Sequence, residues 1–248
     1  LELSVTGVGI WTPGFPSAKA WLTGAVDPAA TAKPKAALLD RQCARRASPF
    51  ARSMAIAYAE AAAEGGVALD AAAAVFGSGL GETSVMVRGA DEDFSPMKFA
   101  VSVHNAASGL VSISTKNRAF TTSLVADHDT PAMALLEAWG ASRALGVPAV
   151  LVCGDEAAPA GLVREGEDFE HVAVALAVEA RGPAPTRGET GAQGRGEGAP
   201  LARLSGLELE REATTPRPEL SPRLGRSPQA GLLDLADAIL RRRAGRVR

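Results

Sequence analysis

Histidine, cysteine and aromatic side chains are scarce in this chain of 248 residues. It has three histidines, two cysteines, seven Phe, three Trp and one Tyr. The histidines His104, His128 and His171 are scattered over helix and strand signals, and neither H-E-x-x-H nor C-x-x-C occurs. No metal site is therefore expected. Cys43 follows the charged stretch Asp40-Arg41-Gln42, and Cys153 lies in an apolar run. Two thiols in so long a chain fit a reducing compartment better than a disulfide framework. Charge of neither sign dominates: 26 basic and 28 acidic residues leave a formal net charge of −2. That balance argues against a generic nucleic-acid or membrane-surface binder. No apolar run reaches the roughly 18 residues of a membrane-spanning helix. The first residues lack the basic start and apolar core of a signal peptide. Cytoplasmic residence is the expectation that follows.

What is plentiful is small and apolar. Apolar residues make up 46% of the chain, with alanine abundant, so a large core is expected to rest on many small contacts. Leu3 to Ile10 reads as a buried strand ended by Pro13-Gly14. Ser17 caps a short helix through Thr23, stopped by Gly24, and residues 25–47 read as irregular. Ser48-Pro49 opens a helix in N-cap, N1 order, ended by Gly65-Gly66. Ala74 to Ser78 is a short strand, Glu82 to Arg88 a helical turn or more, and Val101 to Ile113 a small-residue helix broken near Ser108-Gly109. Ala119 to Val125 is β-like. Asp129-Thr130-Pro131 begins a strong helix capped by Gly146. Val147 to Val152 reads as a buried parallel strand, and His171 to Val178 is a further strand. Leu204 to Leu209 is a candidate edge strand. The last helix places Leu232, Leu235, Ala236, Ile239 and Leu240 on one face, with Arg241, Arg242 and Arg243 at its C-terminal end. Residues 1–248 are read as one domain, with flexible loops at 182–200 and 214–228, where Gly, Pro and Arg accumulate.

Two glycine clusters, Gly7 and Gly9, then Gly77, Gly79 and Gly81, fall short of a full G-x-G-x-x-G with an acidic residue some 20 positions on. They read as turns and close packing points. No G-x-S-x-G elbow exists, which weakens an α/β-hydrolase reading.

One segment is more informative. Ser95-Pro96-Met97-Lys98-Phe99-Ala100-Val101-Ser102-Val103-His104-Asn105-Ala106-Ala107-Ser108-Gly109 precedes a strand, and Ala126-Asp127-His128-Asp129-Thr130 then stands at the mouth of a helix. Val150-Leu151-Val152-Cys153-Gly154-Asp155-Glu156 follows as an apolar strand with an acidic end. Together these resemble the β-ketoacyl synthases of the thiolase-like superfamily over roughly residues 1–180. The likeness is greatest to the short β-ketoacyl-synthase-like proteins found beside type II fatty-acid-like and aryl-polyene pathways. The resemblance implies an α/β, thiolase-like half-fold: a mixed sheet flanked by helices.

It also implies a chain-length-factor-like subunit that pairs with a full-length β-ketoacyl synthase and acts on chains held by an acyl carrier protein, without a cofactor. Family spacing puts the nucleophilic cysteine at His128 counted from Asn105, or at Asp129 counted back from Gly146; neither is a cysteine. Condensation needs a thiolate at a helix N-terminus, where the dipole lowers its pKa. Cys153 is expected inside a buried strand and cannot substitute. The two further histidines implied by the family come from a C-terminal half, and no histidine follows His171. No catalytic residue is therefore expected. The resemblance assigns acyl-tunnel gating to Met97, Phe99, Val103 and His104, and a dimer interface to Phe120 and Leu124. Two alternatives stay open. One is a free-standing acyl hydrolase or acyltransferase in which His128, beside Asp129, acts on a serine such as Ser123. In that comparison the plain role is a helix cap by Asp129 or Thr130 with His128 partly exposed. The other alternative is a purely structural stabiliser of the synthase.

Overall fold

The computed structural model describes residues 2–30, 34–91, 96–158, 162–164, 168–180, 199–206 and 220–245. Strand β1 (Glu2–Trp11) opens the chain, followed by helices α1 (Ala18–Thr23), α2 (Arg41–Arg46) and α3 (Pro49–Glu64). Then come β2 (Ala73–Gly77), α4 (Thr83–Asp91), α5 (Pro96–Phe99), α6 (Ala106–Thr115) and β3 (Thr121–Leu124). A 3₁₀ turn at Asp127–Asp129 leads into α7 (Thr130–Leu145), β4 (Ala149–Asp155) and β5 (Val172–Ala180). The chain closes with β6 (Ala202–Ser205), α8 (Pro222–Gly225) and α9 (Ala230–Leu240).

The six strands form one mixed sheet in the order β3-β2-β4-β5-β1-β6. β2 runs parallel to β3 and β4; β5 is antiparallel to both β4 and β1. An apolar run alone cannot distinguish these two pairings, and β5 needed its neighbours to define it. Because strand side chains alternate, the sheet feeds two cores. Val75, Leu151, Cys153, Val174 and Leu176 meet α7 and α9 on one face. Ala74, Phe76, Val150, Val152 and Ala175 meet α3 and α6 on the other. β2 and β4 are buried at every position, the signature of strands covered on both sides.

Small residues set the spacing of these layers. A Cβ on Gly7 would lie 2.1 Å from the Ala61 carbonyl oxygen, and one on Gly9 would lie 2.0 Å from that of Ala57. The first glycine cluster thus lets α3 lie directly against β1. β1 pairs with β6 only over Glu2 to Val5. Beyond it, two carboxylates of α3 take the edge amides: Val8 N donates to Glu64 at 2.7 Å and Ile10 N to Glu60 at 3.0 Å. Side chains here replace a missing strand, so this stretch of sheet edge is covered.

Several elements differ from expectation. Residues 25–47 contain α2, capped by Asp40, whose side chain accepts from Gln42 N and Cys43 N. α6 starts only at Ala106, and Ser108-Gly109 does not break it: Gly109 N donates to the Asn105 carbonyl at 2.9 Å and continues the helical ladder. Of the two stretches read as loops, 182–198 lies outside the described residues, as does 214–219. The described part of the second, 220–228, forms α8 and buries Leu224 and Ser227. Arg223 and Arg226 there pair with Asp168. At the end of α9, Arg241 and Arg243 close on Asp237, which also takes the Trp21 indole N–H at 2.9 Å.

Candidate functional site

The parallel strands β3, β2 and β4 all end on one side of the sheet, and the chemistry-bearing residues gather there. β4 ends in two acidic residues that organise the loop after β2. Asp155 is fully buried and its carboxyl accepts four hydrogen bonds: from Gln229 Nε2 at 2.6 Å, Ser78 Oγ at 2.7 Å, Leu80 N at 2.8 Å and Gly79 N at 3.0 Å. Ser78 Oγ in turn accepts from Gly81 N at 2.6 Å. The second glycine cluster therefore spends its amides on an internal carboxyl and a hydroxyl. It does not present them to a phosphate. Gly79 packs against Pro228, and Gly81, with φ of 71°, lies under the His104 ring, 2.8 Å from where a Cβ would be.

Glu156 caps the N-terminus of α4. Its Oε1 accepts from Ser84 N at 2.6 Å and from Thr83 Oγ1 at 3.2 Å. A carboxylate suits this position, where the first amides of a helix lack partners. Beside it sits Glu82, 1% exposed, with neither carboxyl oxygen hydrogen-bonded. Burial pushes the Glu82 pKa up to about 8; Ser48 offsets this and the Glu156 charge adds to it.

The turn after β3 is where the family's nucleophile is expected. It holds Asp127, His128 and Asp129, all exposed. The residue in the left-handed region is Asp127 (φ 50°), one before the two positions counted from sequence. Asp129 makes no side-chain cap bond, contrary to one expectation. Thr130 instead turns its Oγ1 to accept from Ala126 N at 3.0 Å, which tightens the turn. Ser123 is bonded to Ser108, hydroxyl to hydroxyl at 2.8 Å, so the serine considered with His128 is held by α6.

The remaining candidates fall around this end of the sheet. Phe99 is 62% exposed at the end of α5, and Val103 and His104 are exposed in the turn before α6. Met97 lies in α5; its side chain is outside the description. Phe120 is 40% exposed just before β3, whereas Leu124 is half-buried and packs into the α7 side of the core. Both cysteines are buried and free. Burial and the nearby Asp155 push the Cys153 thiol up, so it is no thiolate. His171 belongs to the core. Its Nε2 meets Ser53 Oγ at 2.7 Å, its ring packs edge-on to Trp11, and desolvation lowers its pKa to about 4. Because Ser53 donates to the Phe50 carbonyl, Nε2 carries the proton in that contact.

Sequence reading missed Ser78, Glu82 and Gln229 as members of one cluster. The acidic pair closing an apolar strand was a signal for Asp155 and Glu156. Gln229 had none, being 74 residues from its partner in sequence. Among the described residues no cluster of His, Cys, Asp or Glu could hold a metal, and no helix is long and apolar enough to cross a membrane.

Comparison with known proteins agrees with this architecture. The family model "Beta-ketoacyl synthase, N-terminal domain" matches residues 19–196. A sequence comparison with curated proteins found no match. The ketosynthase ApeO in complex with its chain length factor ApeC, from Xenorhabdus doucetiae, is 25% identical with a TM-score of 0.59, over 73% of this chain and 80% of that one. The ishigamide ketosynthase/chain length factor is 15% identical with a TM-score of 0.54, over 72% of this chain and 62% of that one. A type II polyketide acyl-carrier protein in complex with its ketosynthase bound to the hexaketide is 16% identical with a TM-score of 0.53, over 73% and 63%. The last two show the fold alone, and this chain spans under two thirds of each. The mixed, helix-flanked sheet is thus a thiolase-like half-fold.

Proposed function

Since the chain belongs to the β-ketoacyl synthase N-terminal-domain family, we propose that it is a noncatalytic, chain-length-factor-like partner subunit of a full-length β-ketoacyl synthase. It would work on acyl chains carried by an acyl carrier protein, in a fatty-acid- or polyketide-like pathway of the aryl-polyene type. The observation that carries this reading is the turn after β3. It offers Asp127, His128 and Asp129 at the mouth of α7, while both thiols of the chain are buried elsewhere, Cys43 in α2 and Cys153 in β4. A carboxylate or imidazole there cannot form and release the thioester that condensation requires.

Two further features support a partner. Exposed large apolar side chains sit beside β3 (Phe120, Val125) and on both helices that contact it, Ile113 on α6 and Met133 and Leu136 on α7. Apolar exposure around a sheet edge is costly for a free monomer. Phe99 and Val103 are exposed on the neighbouring segment, which supports a role for Met97, Phe99, Val103 and His104 in bounding the partner's acyl tunnel. No observation favours the hydrolase reading, as Ser123 is engaged by Ser108.

The test is direct. The purified chain is incubated with acyl- and malonyl-loaded carrier protein, and products are identified by mass spectrometry. The expected result is no 3-ketoacyl product; its appearance without any synthase present overturns the proposal.

A further inference from the structure

The Glu82 carboxyl is the one buried acidic group at this end of the sheet whose oxygens both lack a hydrogen-bond partner among the described residues. It precedes α4 directly, and its own carbonyl accepts the Val85 and Met86 amides of the first turn. The donors that a carboxylate would want at this helix start, Ser84 N and Thr83 Oγ1, are already taken by Glu156. Two carboxyl groups thus share a site with donors for one. Ser48, facing from the start of α3, gives partial relief through its hydroxyl, which burial outweighs. Asp155, at the base of the same loop, is another acid. His104, from the turn before α6, lies over Gly81 and is exposed. No lysine or arginine pairs with Glu82 among the described residues.

We propose that Glu82 is a proton-operated latch: the N-terminus of α4 docks on the end of β4 while the Glu82 carboxyl is protonated and comes away when that carboxyl ionises. A neutral carboxyl tolerates a dry pocket beside Glu156, and a second negative charge does not. Release would also withdraw Gly81 from beneath His104. The inference concerns this chain alone and holds whether or not a synthase is its partner.

The sign of the effect follows from linkage. The docked form keeps its proton up to about pH 8, whereas an opened, hydrated Glu82 ionises near its ordinary value of 4.5. Opening therefore becomes about tenfold more favourable per pH unit between those limits and levels off above the upper one. Hydrogen exchange followed by mass spectrometry, corrected for the intrinsic pH dependence of exchange, reads this at the Ser84 amide and its neighbours. From pH 6 to pH 8 their protection should fall about 50-fold, since Glu82 is already half ionised at the upper limit, while peptides from β4 and β5 stay constant. In Glu82→Gln, and in Glu82→Met as a second neutral variant, protection of the same amides should change less than about threefold. A flat profile in the wild-type chain overturns the latch. So does an equal fall in both variants, or loss of protection that extends to β4 and β5.

Discussion

Replacing Phe120 with Asp tests the face around β3. Phe120 is 40% exposed in the isolated chain. A Phe side chain offers some 150–250 Å², which leaves about 80 Å² for a partner to cover. At ~25 cal/mol per Å² this contributes about 2 kcal/mol, or about 30-fold in Kd. Phe120→Ala should show that loss. Phe120→Asp should lose more than about 1,000-fold, since a carboxylate in a dry interface costs several kcal/mol more. The part of Phe120 already packed within this chain contributes about 3 kcal/mol to its own stability, so the variant's Tm should drop by roughly 6–12 °C. Affinity is therefore measured well below that Tm, by titrating labelled synthase with variants that elute as folded protein. Val125→Asp is the companion, because Val125 is 48% exposed and has less to lose internally. Leu124 is a poorer probe, being packed into the α7 side of the core. If both charged variants bind the synthase within about threefold of the wild-type chain, the partner face is not at β3.

Other outcomes follow from particular side chains. His171 is buried with its pKa lowered from 6.5 to about 4, so it stabilises the fold above pH 6.5, and that contribution drains away as pH falls toward 4. Urea titrations should show the wild-type chain losing about 3 kcal/mol more than His171→Gln across that window; parallel profiles would mean that His171 is not desolvated. Phe99→Ala should lower stability by no more than about 2 kcal/mol, because its ring is more than half exposed, yet lengthen the products of the assembled heterodimer; unchanged lengths by chromatography remove the gating role and leave a structural partner. His128→Ala should leave heterodimer turnover within about threefold, and a hundredfold loss with folding intact would return His128 to a catalytic role.

Elements with strong local signals were legible. Ser17 and Ser48 cap α1 and α3, and Gly24 and Gly146 end α1 and α7 in the left-handed conformation. β2 and β4 read as strands because sheet burial on both faces leaves a near-continuous apolar run. What escaped depends on distant partners. α2 carries three arginines in six residues, and the Asp40 cap was its only signal. The stretch 220–228 looks like linker by composition, but Leu224 and Ser227 are buried, and Gln229 beside it reaches Asp155. The same dependence hid half of the candidate site. The turn after β3 was visible as a helix mouth preceded by a strand. The Ser78–Asp155–Gln229 cluster and the crowding of Glu82 by Glu156 exist only once β2, β4 and the start of α9 have come together.

The most direct measurement of the central claim is co-expression with a full-length β-ketoacyl synthase from the same source, followed by affinity capture on this chain and mass determination of the eluted complex. The account predicts one copy of each chain in a stable heterodimer, with an interface above about 2,000 Å² and condensing activity that vanishes when the synthase's nucleophile is removed. A chain that elutes by itself, with the synthase forming active homodimers alongside it, would contradict the account.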